Sequence, residues 1–433
     1  MSQQYQKQFK TPIVPLLIIG SLFFIFGFVS WVNAILIPYF KIACELSHIQ
    51  AYLVTLSFYI AYLVMAIPAS WLLNRYGFKK GMMIGLWCMS LGTLFFVPAA
   101  LTRTYGIFLI GLFAIGTGLS ILQTAANPYV TVIGPIDSAA KRISIMGLCN
   151  KFAGIISPLI FAAVILKSTD SELFAQLNNG VLIGVAREAA LDELIRRVIF
   201  PYTVLSLFLF LFGILIKKSS LPEIEPEKQN NSETSAKSRS SVLQYPYLVL
   251  GVLAIFFHVG SQVIAIDTII GYAQFMGMDL IEAKAFPSYT MTCTLIGYFI
   301  GVLLIPRVLS QRTALQICTV LGMLFSLCVL LLDFNVDILG HQSNVSIWFL
   351  CLMGLPNALI YAGIWPLAIH GLGKFTNLGS SMMVMALCGN AFLPMIYGYF
   401  ADQLGARMAY WILIPCFLYL IFFSFKGYKI EKW

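Results

Sequence analysis

Long apolar runs, broken by short polar segments, recur from one end of the chain to the other. Twelve are visible, near 13–39, 49–73, 80–100, 106–133, 143–166 and 198–217, then near 246–276, 286–308, 313–332, 345–370, 379–400 and 408–425. A helix needs roughly 20 mostly apolar residues to cross hydrocarbon, so these runs predict membrane-spanning helices. The segment between the two sets of six begins KKSSLPEIEPEKQNNSETSAKSRSS and is rich in Ser, Glu, Lys, Asn and Pro. Such a composition buries little and suits a disordered linker. The expected fold is an all-α membrane protein with an N-terminal six-helix bundle over 1–217, a cytoplasmic linker over 218–245 and a C-terminal six-helix bundle over 246–433.

Composition agrees. Of 433 residues, 59% are hydrophobic and only 10% are charged, against about 25% charged in soluble domains. That excludes a cytosolic enzyme, a secreted domain and a disordered chain. The net charge of +9 raises nucleic acid as a partner, but the placement of the bases accounts for it. With both termini inside, the inner segments hold 18 of the 27 bases, the outer loops hold 8, and Lys151 falls within a span. This is the positive-inside bias of a multi-pass protein with cytoplasmic termini. The nine cysteines show no CxxC or Cys/His spacing and read as small apolar packing residues. The N-terminal apolar run is too long for a signal-peptide core and lacks a cleavage pattern. One outer loop, 168–197, is long, and VAREAALDELIRRV within it predicts a short amphipathic helix of structural role.

The halves resemble each other. ASWLLNR (69–75), placed in the loop after helix 2, matches GVLLIPR (301–307) after helix 8 at an offset of 232. MGLCN (146–150) opening helix 5 matches MALCG (385–389) opening helix 11 at an offset of 239. Parallel six-helix repeats place a substrate between the halves near the bilayer midplane. Walker, HExxH and GxSxG patterns are absent from the sequence, so no enzyme, resident cofactor or metal is expected. An ion gradient or passive diffusion must drive whatever moves.

The stretches FFIFGFVSWVNAILIPYF (23–40), FYIAYLVMAIPASWL (58–72), GLSILQTAANPYVTVIGP (118–135), HVGSQ (258–262) and GLGKFTNLGSSMMVM (371–385) resemble the fucose–galactose–glucose symporter family within the major facilitator superfamily. The resemblance implies uptake of hexoses or deoxyhexoses across a bacterial inner membrane, coupled to protons. Two departures bear on coupling. The family's fucose-type pattern places an acid after the helix 1 Asn, whereas this chain has Asn33 followed by Ala34. It also places Glu before T-A-A-N-P on helix 4, where this chain has Gln123.

Charges in hydrocarbon cost at least about 2.5–3.5 kcal/mol each, so those present need a partner, a cavity or a task. Asp267 and Lys151 are the two, and a structural ion pair between them is the plain alternative to a role in ion coupling. Asp267 falls opposite Ala34 at an offset of 233, so the titratable carboxylate is expected to have moved to the repeat mate of helix 1. Gln123 and Asn127 share a face of helix 4, and amides suit sugar hydroxyls because they both donate and accept. Asn33, Asn150, Gln262 and Asn357 are expected to converge with them. The resemblance puts Asn150 at the family's helix 5 Asn and Tyr361 at a sugar-facing Tyr. Trp31 and Trp365 are candidate platforms for an apolar sugar face. The alternative for each amide is an interhelical hydrogen bond.

His258 reads as a neutral, hydrogen-bonded residue rather than a proton carrier, and Asn390 is the repeat mate of Lys151. Asn74 and Arg75, in the loop between helices 2 and 3, are candidate gating residues, with plain positive-inside topology as the alternative. Together these features indicate a monomeric secondary transporter importing a hexose or related sugar by alternating access, with proton or sodium symport. A passive facilitator or exporter, or a non-transporting sugar sensor, remains the alternative. Accumulation against a gradient separates the first, and binding without counterflow the second.

Overall fold

A computed structural model describes residues 13–132, 139–167, 169–219, 221, 241–305, 308–372 and 375–432. Most of the expected linker therefore lies outside the described residues, as do the side chains of Asn74 and Asn127. Twelve long helices run through the rest. The first six are α1 (Ile13–Trp31, resumed after Val32 as Asn33–Ala43), α2 (Leu53–Tyr76), α3 (Phe78–Leu94 and Phe96–Thr102), α4 (Tyr105–Val132), α5 (Ala139–Ile165) and α6 (Ile199–Lys218). The second six are α7 (Pro246–Asp267 and Ile269–Phe275), α8 (Phe286–Leu304), α9 (Gln311–Leu331), α10 (Val345–Leu352 and Gly354–Ile369), α11 (Thr376–Met385, Ala386–Cys388 and Gly389–Leu404) and α12 (Met408–Ile412 and Leu413–Phe425). Ten of the described helical runs are long and apolar enough to cross a bilayer. Prolines inside α1, α2, α5, α10 and α11 are tolerated because neighbouring helices satisfy the freed backbone groups.

The same packing pattern occurs twice. α1 lies on α5 as α7 lies on α11; α2 and α3 lie on α4 as α8 and α9 lie on α10; α6 meets α3 as α12 meets α9. Small residues permit these approaches. A methyl on Gly27 of α1 would overlap the Asn150 carbonyl of α5, and one on Gly260 of α7 would overlap the Gly389 carbonyl of α11. Gly116 meets the Phe58 carbonyl just as Gly354 meets the Thr290 carbonyl. The pairs are offset by 232 to 239 residues, which are the repeat offsets of the sequence. Close backbone approach through small residues is a main source of helix association in lipid, where apolar side chains gain little by leaving the tails. Phe208, Leu211 and Leu215 of α6 and Leu303 of α8 accordingly remain exposed.

Several boundaries differ from expectation. The segment 74–80 is not a loop, because Asn74 and Arg75 are helical and only Gly77, at φ +80°, separates α2 from α3. A tight left-handed link needs no more than one glycine. α1 runs to Ala43, so Lys41 is helical rather than in a loop, and α11 runs to Leu404, so Asp402 is helical too. The amphipathic helix forms as Gly184–Arg196, preceded by a second short helix, Asp170–Asn178. It packs on α1 and α3 through Leu191, Leu194 and Ile195. An unforeseen antiparallel hairpin, β1 (Asn335–Ile338) with β2 (His341–Asn344), links α9 to α10. The nine cysteines are free thiols.

Candidate functional site

The end of the bundle remote from Ile13 and Phe425 is here called the distal end. There the two halves meet. Asp402 of α11 accepts the backbone N–H groups of His48, at 3.0 Å, and Ile49, at 2.9 Å, and the His48 Nδ1–H at 2.7 Å. The Tyr52 ring packs edge-on against Tyr397, centroids 5.6 Å apart, and lies against Gly398. Ser171 Oγ donates to Asp279 Oδ2 at 2.6 Å, and Ser288 Oγ of α8 donates to the Ile155 carbonyl of α5 at 2.6 Å.

Among the described residues, the buried polar atoms with no hydrogen-bond partner include both amide atoms of Asn33, both carboxyl oxygens of Asp267, Oδ1 of Asn357 and Asn390, and Nδ1 of His258. Unpartnered polar groups in a dry interior are costly, so they mark places where water or a ligand binds. Asn33 is wholly buried where α1 is interrupted. Gln123 is half-buried, and its Nε2 donates to the Tyr62 hydroxyl of α2 at 2.9 Å. Tyr62 in turn lies within electrostatic reach of Tyr361 of α10, whose ring centroid is 5.5 Å from that of Trp365. Gln123 and Tyr62 of one half are therefore placed near Tyr361 and Trp365 of the other. Gln262 is half-buried on α7.

Other expected site residues are placed differently. Asn150 Nδ2 donates to the Phe23 carbonyl of α1 at 3.3 Å, which is the interhelical alternative. Trp31 does not stand as an open platform. It is 5% exposed, and the Lys151 ammonium lies over its ring at 4.6 Å. Cation–π contact of this kind partly replaces lost solvation. Lys151 and Asp267 form no ion pair. Asp267, 1% exposed at the end of the first stretch of α7, lines a small cavity with Tyr52 and is within electrostatic reach of Thr55 and Tyr59 of α2. The helix is continuous from Gln262 to Asp267, which puts them about 140° apart, so they do not share one face. His258 lies within electrostatic reach of Lys151. Arg75 stacks on Trp71 and Tyr76, 5.3 and 5.6 Å from the ring centroids, and makes no ion pair among the described residues.

Sequence reasoning missed the polar stripe that runs from Tyr52, the residue before α2, into α2. Tyr52, Thr55, Tyr59 and Tyr62 recur at spacings of three, four and three, which puts them on one helical face, and all are buried. Among the described residues no group of His, Cys, Asp and Glu is arranged to hold a metal.

The comparisons with known proteins agree with this architecture. The family model described as Major Facilitator Superfamily matches residues 19–390. The chain is 31% identical to a glucose/galactose transporter of Brucella abortus over 94% of its own length and 92% of that protein. It is 30% identical to the L-fucose-proton symporter of Escherichia coli, covering 98% of this chain and 95% of the relative. Its structure superposes on the crystal structure of FucP, a major facilitator transporter in the outward conformation, with a TM-score of 0.69 at 30% identity, covering 96% and 99% of the two chains. A crystallised D-xylose-proton symporter, at 13% identity and a TM-score of 0.66 over 96% of this chain and 98% of its own, shares the fold alone. With its doubled six-helix packing, its unpartnered polar atoms between the halves and its end-to-end similarity to these relatives, the chain belongs to the major facilitator superfamily.

Proposed function

We propose that this transporter takes a hexose or deoxyhexose into a bacterial cell across the inner membrane, as a monomer with both termini cytoplasmic, and that Asp267 couples sugar movement to a proton. The distal end is then the outer end. The observation that carries the reading is Asp267: a carboxyl buried between the halves, with both oxygens unpartnered and no cation bonded to it among the described residues. A carboxyl in such a place is costly to ionise. It is neutral when the halves enclose it and gives up a proton only when water reaches it, which ties protonation to conformation. With Ala34 and Gln123 standing where the fucose-type acids are expected, Asp267 is, among the described residues, the carboxyl buried within a spanning helix. Asn33, Gln123, Asn357 and Tyr361 supply hydrogen bonds to sugar hydroxyls, and Trp365 supplies an apolar face.

Proteoliposomes with separate proton and sodium gradients, offered glucose, galactose and fucose, test this. A proton gradient alone is expected to drive accumulation. Asp267→Asn is expected to abolish accumulation while sugar counterflow persists, because exchange needs no proton release. Accumulation driven by sodium alone, or full accumulation by Asp267→Asn, overturns the coupling assignment. Counterflow of none of the three sugars overturns the substrate assignment.

A further inference from the structure

Lys151 is the buried charge that the proposed coupling leaves without a task. It is 7% exposed, in the middle of α5, and no carboxylate among the described residues lies within electrostatic reach of its ammonium. Gly154, one turn further along α5, makes room for the indole of α1: a methyl there would meet Trp31 Cδ1 at 2.7 Å and Met291 Sδ of α8 at 3.2 Å. The Trp31 ring therefore lies across the Lys151–Gly154 face, with the ammonium 4.6 Å from its centroid. From the other half, His258 of α7 is within electrostatic reach of the same ammonium; it is 1% exposed and its Nδ1 is unpartnered. Asn390, the repeat mate of Lys151 on α11, likewise carries an unpartnered Oδ1.

An aromatic face offsets only part of the cost of burying an ammonium, and buried charges are as a rule paired with an opposite charge. Here the described chain supplies no such charge. With its proton on Nδ1, the His258 imidazole is a second donor. An ammonium from one half and an imidazole from the other, with no acid near the ammonium, suit an incoming anion.

We propose that Lys151 receives a carboxylate of the transported sugar, so that a hexose oxidised to the acid at C6, a hexuronate, is taken in preference to the neutral sugar. The inference rests on the sugar-uptake reading and narrows its substrate class. A hexuronate keeps the ring and hydroxyls assigned to Asn33, Gln123, Asn357 and Tyr361, and adds one negative charge. Its carboxylate accepts a charge-assisted hydrogen bond from the ammonium, and His258 can donate another. A neutral sugar leaves the ammonium unpaired when the halves close. A site that pairs a charge discriminates against the analogue lacking it, because its own charge is then left buried alone.

The test is direct binding to the full-length protein in detergent at neutral pH. D-Glucuronate and D-galacturonate are each compared with the corresponding uronamide, which has nearly the same shape and no charge, and with glucose and galactose. At least one acid is expected to bind about tenfold or more tightly than its amide. Lys151→Met, which keeps the length of the side chain and removes the charge, is expected to bring that ratio within about twofold. Lys151→Arg is expected to keep a preference for the acid. Equal binding of acid and amide by the parent, or an unaltered ratio in Lys151→Met, overturns the inference. The parent comparison needs no variant, so it decides even where Lys151→Met fails to fold. Counterflow of neutral hexoses without preference for either acid overturns the inference and leaves the sugar-uptake reading intact. Binding of no sugar, acidic or neutral, overturns the sugar-uptake reading and the inference with it.

Discussion

At the scale of single residues, the same amide chemistry serves two ends, and hydrogen-bond partners separate them. Gln123 reaches the Tyr62 hydroxyl, near Tyr361 of the other half, while Asn150 ties α5 to the α1 backbone. Gln123→Ala removes a group available to sugar, and the loss of a hydrogen bond worth about 1.5 kcal/mol corresponds to roughly a tenfold rise in the sugar concentration for half-maximal uptake. Asn150→Ala is expected to leave that concentration unchanged and to lower the thermal unfolding midpoint in detergent. Equal effects on half-saturation from the two variants would remove the distinction. The two intramembrane charges were legible in the sequence because so little else there is charged. Their relation was not, since Lys151 is accommodated by the face of Trp31 and Asp267 lies against α2. The α2 stripe was present in the spacing of Tyr52, Thr55, Tyr59 and Tyr62. Aromatic residues make up 14% of the chain, and a stripe of tyrosines does not stand out against that background.

At the scale of helices, the repeat is a matter of where backbones touch. Gly27→Ala puts a methyl into the Asn150 carbonyl, a main-chain atom that moves only if α5 moves. Overpacking of this kind costs about 1–3 kcal/mol. The expected outcome is a lower thermal midpoint and reduced uptake, with Gly147→Ala as the matched control because nothing lies within 4 Å of its added methyl. Equal midpoints for the two would show that the α1–α5 contact is loose. The twelve helices and the offsets between halves were readable from apolar run length and two short sequence matches, because lipid imposes both. Helix ends were less so. Lys41, Asn74 and Asp402 are polar and read as loop, yet each sits in a helical turn; the Lys41 and Asp402 side chains reach water there without breaking the helix. The hairpin Asn335–Asn344 was hidden because its turn, at Leu339 and Gly340 with φ +55° and +81°, carries a leucine where asparagine or glycine gives the usual signal.

At the scale of the whole molecule, alternating access requires that the contacts closing one end be made and broken in every cycle. They must therefore be few and polar rather than a large apolar seal. The distal end includes such contacts, Asp402 with His48 and Ile49 at one place and Ser171 with Asp279 at another, beside the buried Tyr52–Tyr397 packing and Ser288 on the Ile155 carbonyl. The Asp402 and Ser171–Asp279 crossings are partly exposed to solvent, where each contributes only about 0.5–1.5 kcal/mol. None of the residues assigned to sugar or proton chemistry takes part in the Ser171–Asp279 crossing, and so it isolates the rocking motion. A Ser171→Cys, Asp279→Cys pair, bridged by a short membrane-impermeant bismaleimide from the outer side, is expected to stop uptake and counterflow together. Either single cysteine treated in the same way should retain both activities, which also controls for the native thiols. If bridged protein still exchanges sugar, the outer end does not need to part at this point. The halves would then move about it as a hinge, and only the His48–Asp402 side would open.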